Sequence, residues 1–105
     1  MEKSDFNFEE FAKAIDDGKF DVCEQILGKA FDNFDGLSDK SCSELSMNYA
    51  MMLLPPATPS EEQKKLYFER FKICRDRALA AKILTDEEAD AMNSMEGMLK
   101  QGGFI

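Results

Sequence analysis

Histidine and tryptophan are absent from this chain, and cysteine, proline and glycine are scarce, at three, three and six of 105 residues. Without histidine, a single chain cannot build a Ser-His or Cys-His nucleophile or a histidine metal site. Cys23, Cys42 and Cys74 are odd in number, far apart and without a CxxC spacing. No zinc knuckle, thioredoxin-type motif or disulfide framework is therefore expected. The cysteines fit reduced thiols in a cytoplasmic setting and lie on apolar stripes, where they read as small core fillers. No GxGxxG or GxxxxGK[ST] occurs, so the usual nucleotide cradles are missing. No apolar run approaches the roughly 18 residues that suggest a membrane span. The opening MEKSDFNFEE lacks the basic-then-apolar order of a secretory signal.

The acids that remain give little purchase for chemistry. Asp32-Asn33-Phe34-Asp35-Gly36 looks like part of a calcium loop. With Gly36 in the glycine position, however, Phe31 and Cys42 fall where the first and last oxygen ligands belong. Asp16-Asp17, Glu61-Glu62 and Glu87-Glu88 are adjacent pairs that splay apart on a helix, and each sits at a helix end where dipole effects explain it. The expectation is a non-enzymatic protein with no cofactor and no metal.

What is present is helical patterning throughout. The longest uninterrupted pattern runs over about 59–84, opened by Thr58 as N-cap, Pro59 at the first helical position and Glu61 three residues after the cap. Tyr67, Phe71, Cys74, Ala78 and Ala81 form its main stripe, with Leu66, Ile73 and Leu84 on one side and Phe68 and Leu79 on the other. A helix apolar over so much of its circumference is expected to be the spine of an all-α domain, packed against several neighbours.

Ahead of it, residues 7–35 read as an αα-hairpin. Asn7 and Glu10 make a capping box, flanked by a Phe6 and Phe11 staple, and Phe8, Phe11, Ala12 and Ile15 face inward. Gly18 supplies a left-handed cap. Phe20, Cys23, Leu27, Ala30, Phe31 and Phe34 then keep helical spacing until Gly36. Within this hairpin, Gly18, Phe20, Cys23, Leu27 and Ala30 resemble the second helix of a tetratricopeptide repeat in spacing. Bulky Phe11 departs from that pattern, and no second copy follows at the period of about 34 residues, so the reading stays a generic hairpin.

A third helix over 38–54 starts at Ser38 or at Ser41, the latter boxed by Glu44, and Pro55-Pro56 must end it. Cys42, Leu45, Tyr49, Met52 and Leu53 form one stripe; Met47, Met51 and Leu54 form another. A C-terminal helix over 85–101 opens with a Thr85 and Glu88 box, carries Met92, Met95 and Leu99 inward, and makes a break or bend at 84–85. The expected fold is one domain, 1–105, a compact bundle of about five helices, mostly antiparallel.

Charge and methionine suggest what the bundle does. The formal net charge is −8. Residues 1–58 hold five Lys against twelve acids, net −7; residues 59–84 hold seven Lys or Arg against four, net +3; residues 85–105 hold one Lys against five, net −4. Lys64, Lys65, Arg70, Lys72, Arg75, Arg77 and Lys82 are expected to pair with flanking acidic helices or to solvate the free edges of the spine. Direct nucleic-acid binding is disfavoured, since the surrounding acids repel phosphate. Six methionines besides the first fall in two windows, and methionine suits surfaces that take up other proteins. Met47, Met51 and Leu54 face away from the main stripe and are the expected apolar contact patch. Asp16, Asp17 and Asp21 are the expected acidic contacts. The function expected is a small acidic inhibitor, adaptor or immunity-type protein that occludes the surface of another protein, one with basic character. The alternatives are a self-assembling subunit or homodimer closed by the same face or by Phe104-Ile105, and a nucleic-acid mimic that binds a basic protein.

Overall fold

The computed structural model describes residues 8–54 and 57–104, all helix and connecting turns. The expected Asn7 cap, Phe6 staple, inward Phe8 side chain, Pro55-Pro56 stop and Ile105 lie outside the described residues. The order is α1 (Phe8–Asp16), α2 (Phe20–Asp32), a 3₁₀ turn (Phe34–Gly36), α3 (Asp39–Met51), α4 (Glu61–Ala80) and α5 (Asp86–Gln101). The all-α, five-helix expectation holds.

The hairpin of α1 and α2 closes through a Schellman motif. Gly18 takes φ +72°, its N–H donates to the Ile15 carbonyl at 3.1 Å, and Lys19 N–H donates to Ala14 at 2.9 Å. The same motif closes α5. Gly103 stands at φ +73°, and Phe104 N–H reaches the Leu99 carbonyl at 3.0 Å. The expected left-handed cap at Gly18 is thus present.

Other boundaries shift. Helix α2 stops at Asp32, and the chain tightens into the 3₁₀ turn that carries Phe34. Ser38 caps α3, accepting from Ser41 N–H at 3.1 Å, so Ser41 is the third helical residue and not the cap. The start expected at Thr58 moves to Ser60. Ser60 Oγ accepts from Gln63 N–H at 3.2 Å, and Gln63 Oε1 accepts from Ser60 N–H at 2.8 Å. Both Thr58-x-x-Glu61 and Ser60-x-x-Gln63 satisfy the box pattern; the second places Pro59 just outside the helix, in extended chain. At the far end α4 stops at Ala80, because Lys82 adopts a left-handed φ of +57°. The junction before α5 is therefore a break. The Thr85 and Glu88 box forms as expected.

Helix α4 is the longest, and it pairs with three others. Gln63 and Tyr67 donate to Glu24 of α2, Arg70 Nη1 donates to Tyr49 Oη of α3 at 2.9 Å, and Arg75 meets Glu96 of α5 at 2.5 Å. Its buried side chains are Tyr67, Phe71, Cys74 and Ala78, while Leu66 and Ile73 stay about two-fifths exposed. The deeper element is the shorter α3. It buries Cys42, Leu45 and Tyr49 together with Ser41, Ser46, Asn48 and Ala50. Small side chains here let α3 lie close against α4, the most intimate helix pair of the bundle. Ser46 is satisfied by donating to the Ser43 carbonyl at 2.7 Å. The Nδ2 of Asn48 has no partner among the described residues.

Candidate functional site

The inner arc of α3 is so fully used that its outer arc is left to solvent. By helical register, Lys40, Ser43, Glu44, Met47 and Met51 share that arc, and Leu54 continues it beyond the helix. Met51 is 40% exposed. Met47 and Leu54 are half-buried, Leu54 against the core. Of the three residues of the expected patch, Met51 is the exposed one.

Two devices bring a second segment beside it. The left-handed Lys82 turns the chain sharply after α4, and Thr85 starts α5 at once. Ile83 and Leu84 are held in the turn between them. With Lys40, Ser43, Glu44 and Glu88 they line a shallow cleft of about 520 Å³. Ile83 is 45% exposed. Ser43 and Glu44 of the cleft lie one helical turn before Met47 and two before Met51 on the same arc of α3. Apolar side chains thus form an interrupted strip, Ile83 and Leu84 at the cleft with its rim of Lys40, Glu44 and Glu88, then Met47 and Met51 further along α3.

Arg77 fixes the start of α3. Its Nε donates to Asp39 Oδ1 at 2.9 Å, and its two terminal nitrogens donate to the Phe34 and Leu37 carbonyls at 2.5 and 2.6 Å. Its guanidinium lies 4.9 Å from the centre of the Phe34 ring. One side chain of α4 therefore ties down the 3₁₀ turn and the first turn of α3 together.

The acidic candidates lie elsewhere. Asp16 and Asp17 are exposed at the α1–α2 turn, and Asp21 stands in the first turn of α2. None of the three forms an ion pair among the described residues. Asp21 lines a separate small cleft with Phe20, Met52, Ala57, Thr58, Pro59, Gln63 and Tyr67. The six candidates thus divide into two groups, linked along the chain by Met52, which lines the cleft of Asp21 and follows Met51. Of the seven cations of α4 and its following turn, Arg75 and Arg77 pair with acids of α5 and α3 as expected. Arg70 does not: it bonds the Tyr49 hydroxyl and covers the Phe31 ring at 4.6 Å.

Groups inside the bundle are held in their neutral forms. Burial pushes the Tyr49 phenol up to about 12, with Arg70 partly offsetting it. Burial and the Glu24 carboxylate push Tyr67 upward too. Cys74 rises to about 12, chiefly by burial, and all three cysteines are buried, with no disulfide among the described residues. None of these is positioned to act as an acid, base or nucleophile near neutral pH. No cluster of three or more potential metal ligands occurs among the described residues, and no helix there is long and apolar enough to cross a membrane. No protein-family model matches the chain, and neither curated proteins nor solved structures yield a match.

Ile83, Leu84, Lys40 and Glu88 escape a reading of periodicity alone. Ile83 and Leu84 continue the apolar pattern of α4, and only the conformation of Lys82 takes them out of that helix.

Proposed function

We propose that this protein is a binding module that docks on another protein through the outer side of α3 and the α4–α5 turn, and acts by covering the surface it meets. The observation that carries this reading is the exposed strip itself. Ile83 stays 45% exposed in the cleft, where Leu84 lies beside it, and Met51 stays 40% exposed two turns further along α3. Large apolar side chains left exposed on one side of a domain mark interaction sites more often than scattered ones do. Methionine adapts its shape at little strain, which suits uptake of a partner's side chain.

The chemistry of the partner follows from charge. The chain carries −8 overall, Glu44 and Glu88 rim the cleft, and Asp16, Asp17 and Asp21, on the separate α1–α2 hairpin, form no ion pair among the described residues. A partner with an apolar projection inside a basic rim fits both features, and the acidic field speeds its approach. A stable complex needs about 800 Å² from each side, a modest fraction of the 6515 Å² that the described protein exposes. The strip is the anchor of such an area, with the polar rim completing it.

The test compares wild type with a Met47→Asp/Met51→Asp variant, each confirmed as folded by circular dichroism, in capture from the source cell with mass spectrometry. One partner with a basic surface, recovered in near-equal amount by wild type and lost by the variant, supports the docking reading. Retention of that partner by the variant refutes this face as the site. Recovery of only the protein itself, with a dimer in sedimentation that Met51→Asp dissolves, replaces the reading with self-association through the same face.

A further inference from the structure

A second surface differs in kind from the first. On the opposite flank of α4, Glu61, Lys64, Lys65 and Phe68 join Lys100 of α5 around a concavity of about 330 Å³. Phe68 is its apolar floor. The ring is half-buried against the core and stacks on Phe71 at 6.2 Å with 19° between planes. Lys72 Nζ lies 4.6 Å from its centre. Three lysines therefore line a concavity floored by one aromatic ring, and the ammonium of a fourth, Lys72, lies over that ring, in a protein of net charge −8.

We propose that this concavity binds a small anion attached to an apolar body: an aryl or alkyl carboxylate, sulfonate or phosphate. The inference stands apart from the docking strip and does not rest on it. Only Glu61 among the lining residues opposes the lysines, and its link to Lys64 is long, at 3.4 Å, with Glu61 85% exposed. Lys100 pairs at 3.1 Å with Glu96, whose other oxygen already takes Arg75. Lys65 forms no ion pair among the described residues. Exposed pairs of this sort are weak, so a ligand's anionic group can replace them.

Size and charge together select the ligand. At physiological salt a charge is screened beyond about 8 Å. A small anion in the concavity feels chiefly the lysines around it, whereas an extended polyanion reaches the acids of the rest of the surface and is repelled. The volume lies at the lower end of small-molecule sites, about 300–1,000 Å³, which suits one or two rings or a short chain. Phe68 supplies apolar contact for that body where it lines the concavity, and the lysines take the anion at its rim.

The test is an amide-resolved NMR titration of the full chain with naphthalene-2-sulfonate. Naphthalenemethanol serves as a neutral control and inorganic phosphate as an anion without an apolar body. Saturable shifts are expected at Lys64, Lys65, Phe68 and Lys100, weakening as salt is raised. Binding at least tenfold weaker is expected for both controls and for a Lys65→Glu/Lys100→Glu variant. Both lysines are exposed, so that variant keeps its fold, which its dispersed spectrum will show. Equal binding of naphthalenemethanol overturns the proposal, as does equal binding of phosphate alone. It is also overturned by undiminished binding to the variant, by shifts centred on Met51 and Ile83, or by no saturable shift at all.

Discussion

Replacing Arg77 separates two accounts of how the 3₁₀ turn and the start of α3 are held against α4. In one, the Arg77–Asp39 ion pair fastens α3 to α4. In the other, the fastening is the pair of backbone carbonyls that Arg77 caps. Asp39 is 43% exposed and Arg77 26%, so the ion pair is screened and worth about 0–1 kcal/mol. The carbonyls of Phe34 and Leu37 each accept a bond from a charged donor, and such bonds contribute about 1.5–3 kcal/mol when the alternative is an unpaired group. Water reaches Arg77 in part, so the low end applies to each. The contact with the Phe34 ring adds about 0.5–1 kcal/mol. Arg77→Ala is then expected to lose about 3–4 kcal/mol, Arg77→Lys about 2 because one ammonium cannot span both carbonyls, and Asp39→Asn about 0.5 or less. The assay is urea unfolding followed by circular dichroism. With a slope of about 1–2 kcal/mol/M, the midpoint of Arg77→Ala falls by about 2 M, while a domain of ordinary stability, about 5–15 kcal/mol, stays folded in water. An Asp39→Asn loss as large as that of Arg77→Ala would refute the carbonyl argument. So would an Arg77→Ala loss under about 1 kcal/mol.

Four further outcomes follow from the structure. Lys82 holds a left-handed backbone that a Cβ disfavours by about 1–2 kcal/mol, partly offset by glycine's larger unfolded entropy; Lys82→Gly is expected to gain about 0.5–1 kcal/mol in the same assay, and a loss would show the strain argument to be wrong. Hydrogen bonds from Arg75, and then from Lys100, hold the Glu96 carboxyl below its ordinary value of 4.5. Its folded value is depressed, so its stabilisation is present above the ordinary value and lost as pH falls through the folded one. Glu96→Gln is therefore expected to lose less stability than wild type between pH 7 and pH 3, and an identical loss in both proteins counts against the pairing. The buried thiols, with Cys74 raised to about 12, are expected to resist alkylation at pH 8 in the native protein and to react fully in urea; rapid native labelling would contradict the packing. Met51→Asp, at an exposed position, is expected to change stability by about 0.5 kcal/mol or less, and a loss of several kcal/mol would mean that Met51 belongs to the core.

The bundle was legible where local chemistry and helical period agree. Gly18, Thr85 with Glu88, and the stripes Cys23-Leu27-Ala30 and Tyr67-Phe71-Cys74-Ala78 all do in the fold what their spacing implies. Boundaries slipped where two patterns overlapped, as at Thr58 and Ser60, or where backbone conformation overrode composition, as at Lys82. Of the candidate contacts, the exposure of Met51 could be read from period alone, whereas Leu54 lies past the end of α3 and packs against the core. The placing of Ile83 and Leu84 beside the outer arc could not, because it depends on a turn between helices. Nor could the lysine-lined concavity at Phe68, since Lys100 reaches it from another helix.

The distribution of polarity around α3 is the part that folding alone explains least. Its inner arc holds Ser41, Ser46 and Asn48, and the Nδ2 of Asn48 has no partner among the described residues. Its outer arc holds Met47 and Met51, with Leu54 beyond. A sequence selected only for stability would place these types the other way round, since buried unpaired amides and exposed apolar side chains both work against the folded state. Small inner residues have one clear structural benefit, the close approach of α3 to α4. The outer methionines have less of such a benefit: Met51 is 40% exposed, Met47 is half-buried, and neither belongs to the buried core cluster. A local violation of the folding pattern with little structural return is where function is expected to lie. On the proposed docking reading, two substitutions in α3 are expected to part. Asn48→Ala removes the unpaired amide while keeping a small side chain, and is expected to be tolerated within about 1 kcal/mol in urea unfolding, with capture of the partner unchanged. Met51→Lys is expected to be equally tolerated yet to abolish capture. If both variants capture normally, the outer face of α3 has no role in docking, and the inverted pattern must be explained by the bundle itself.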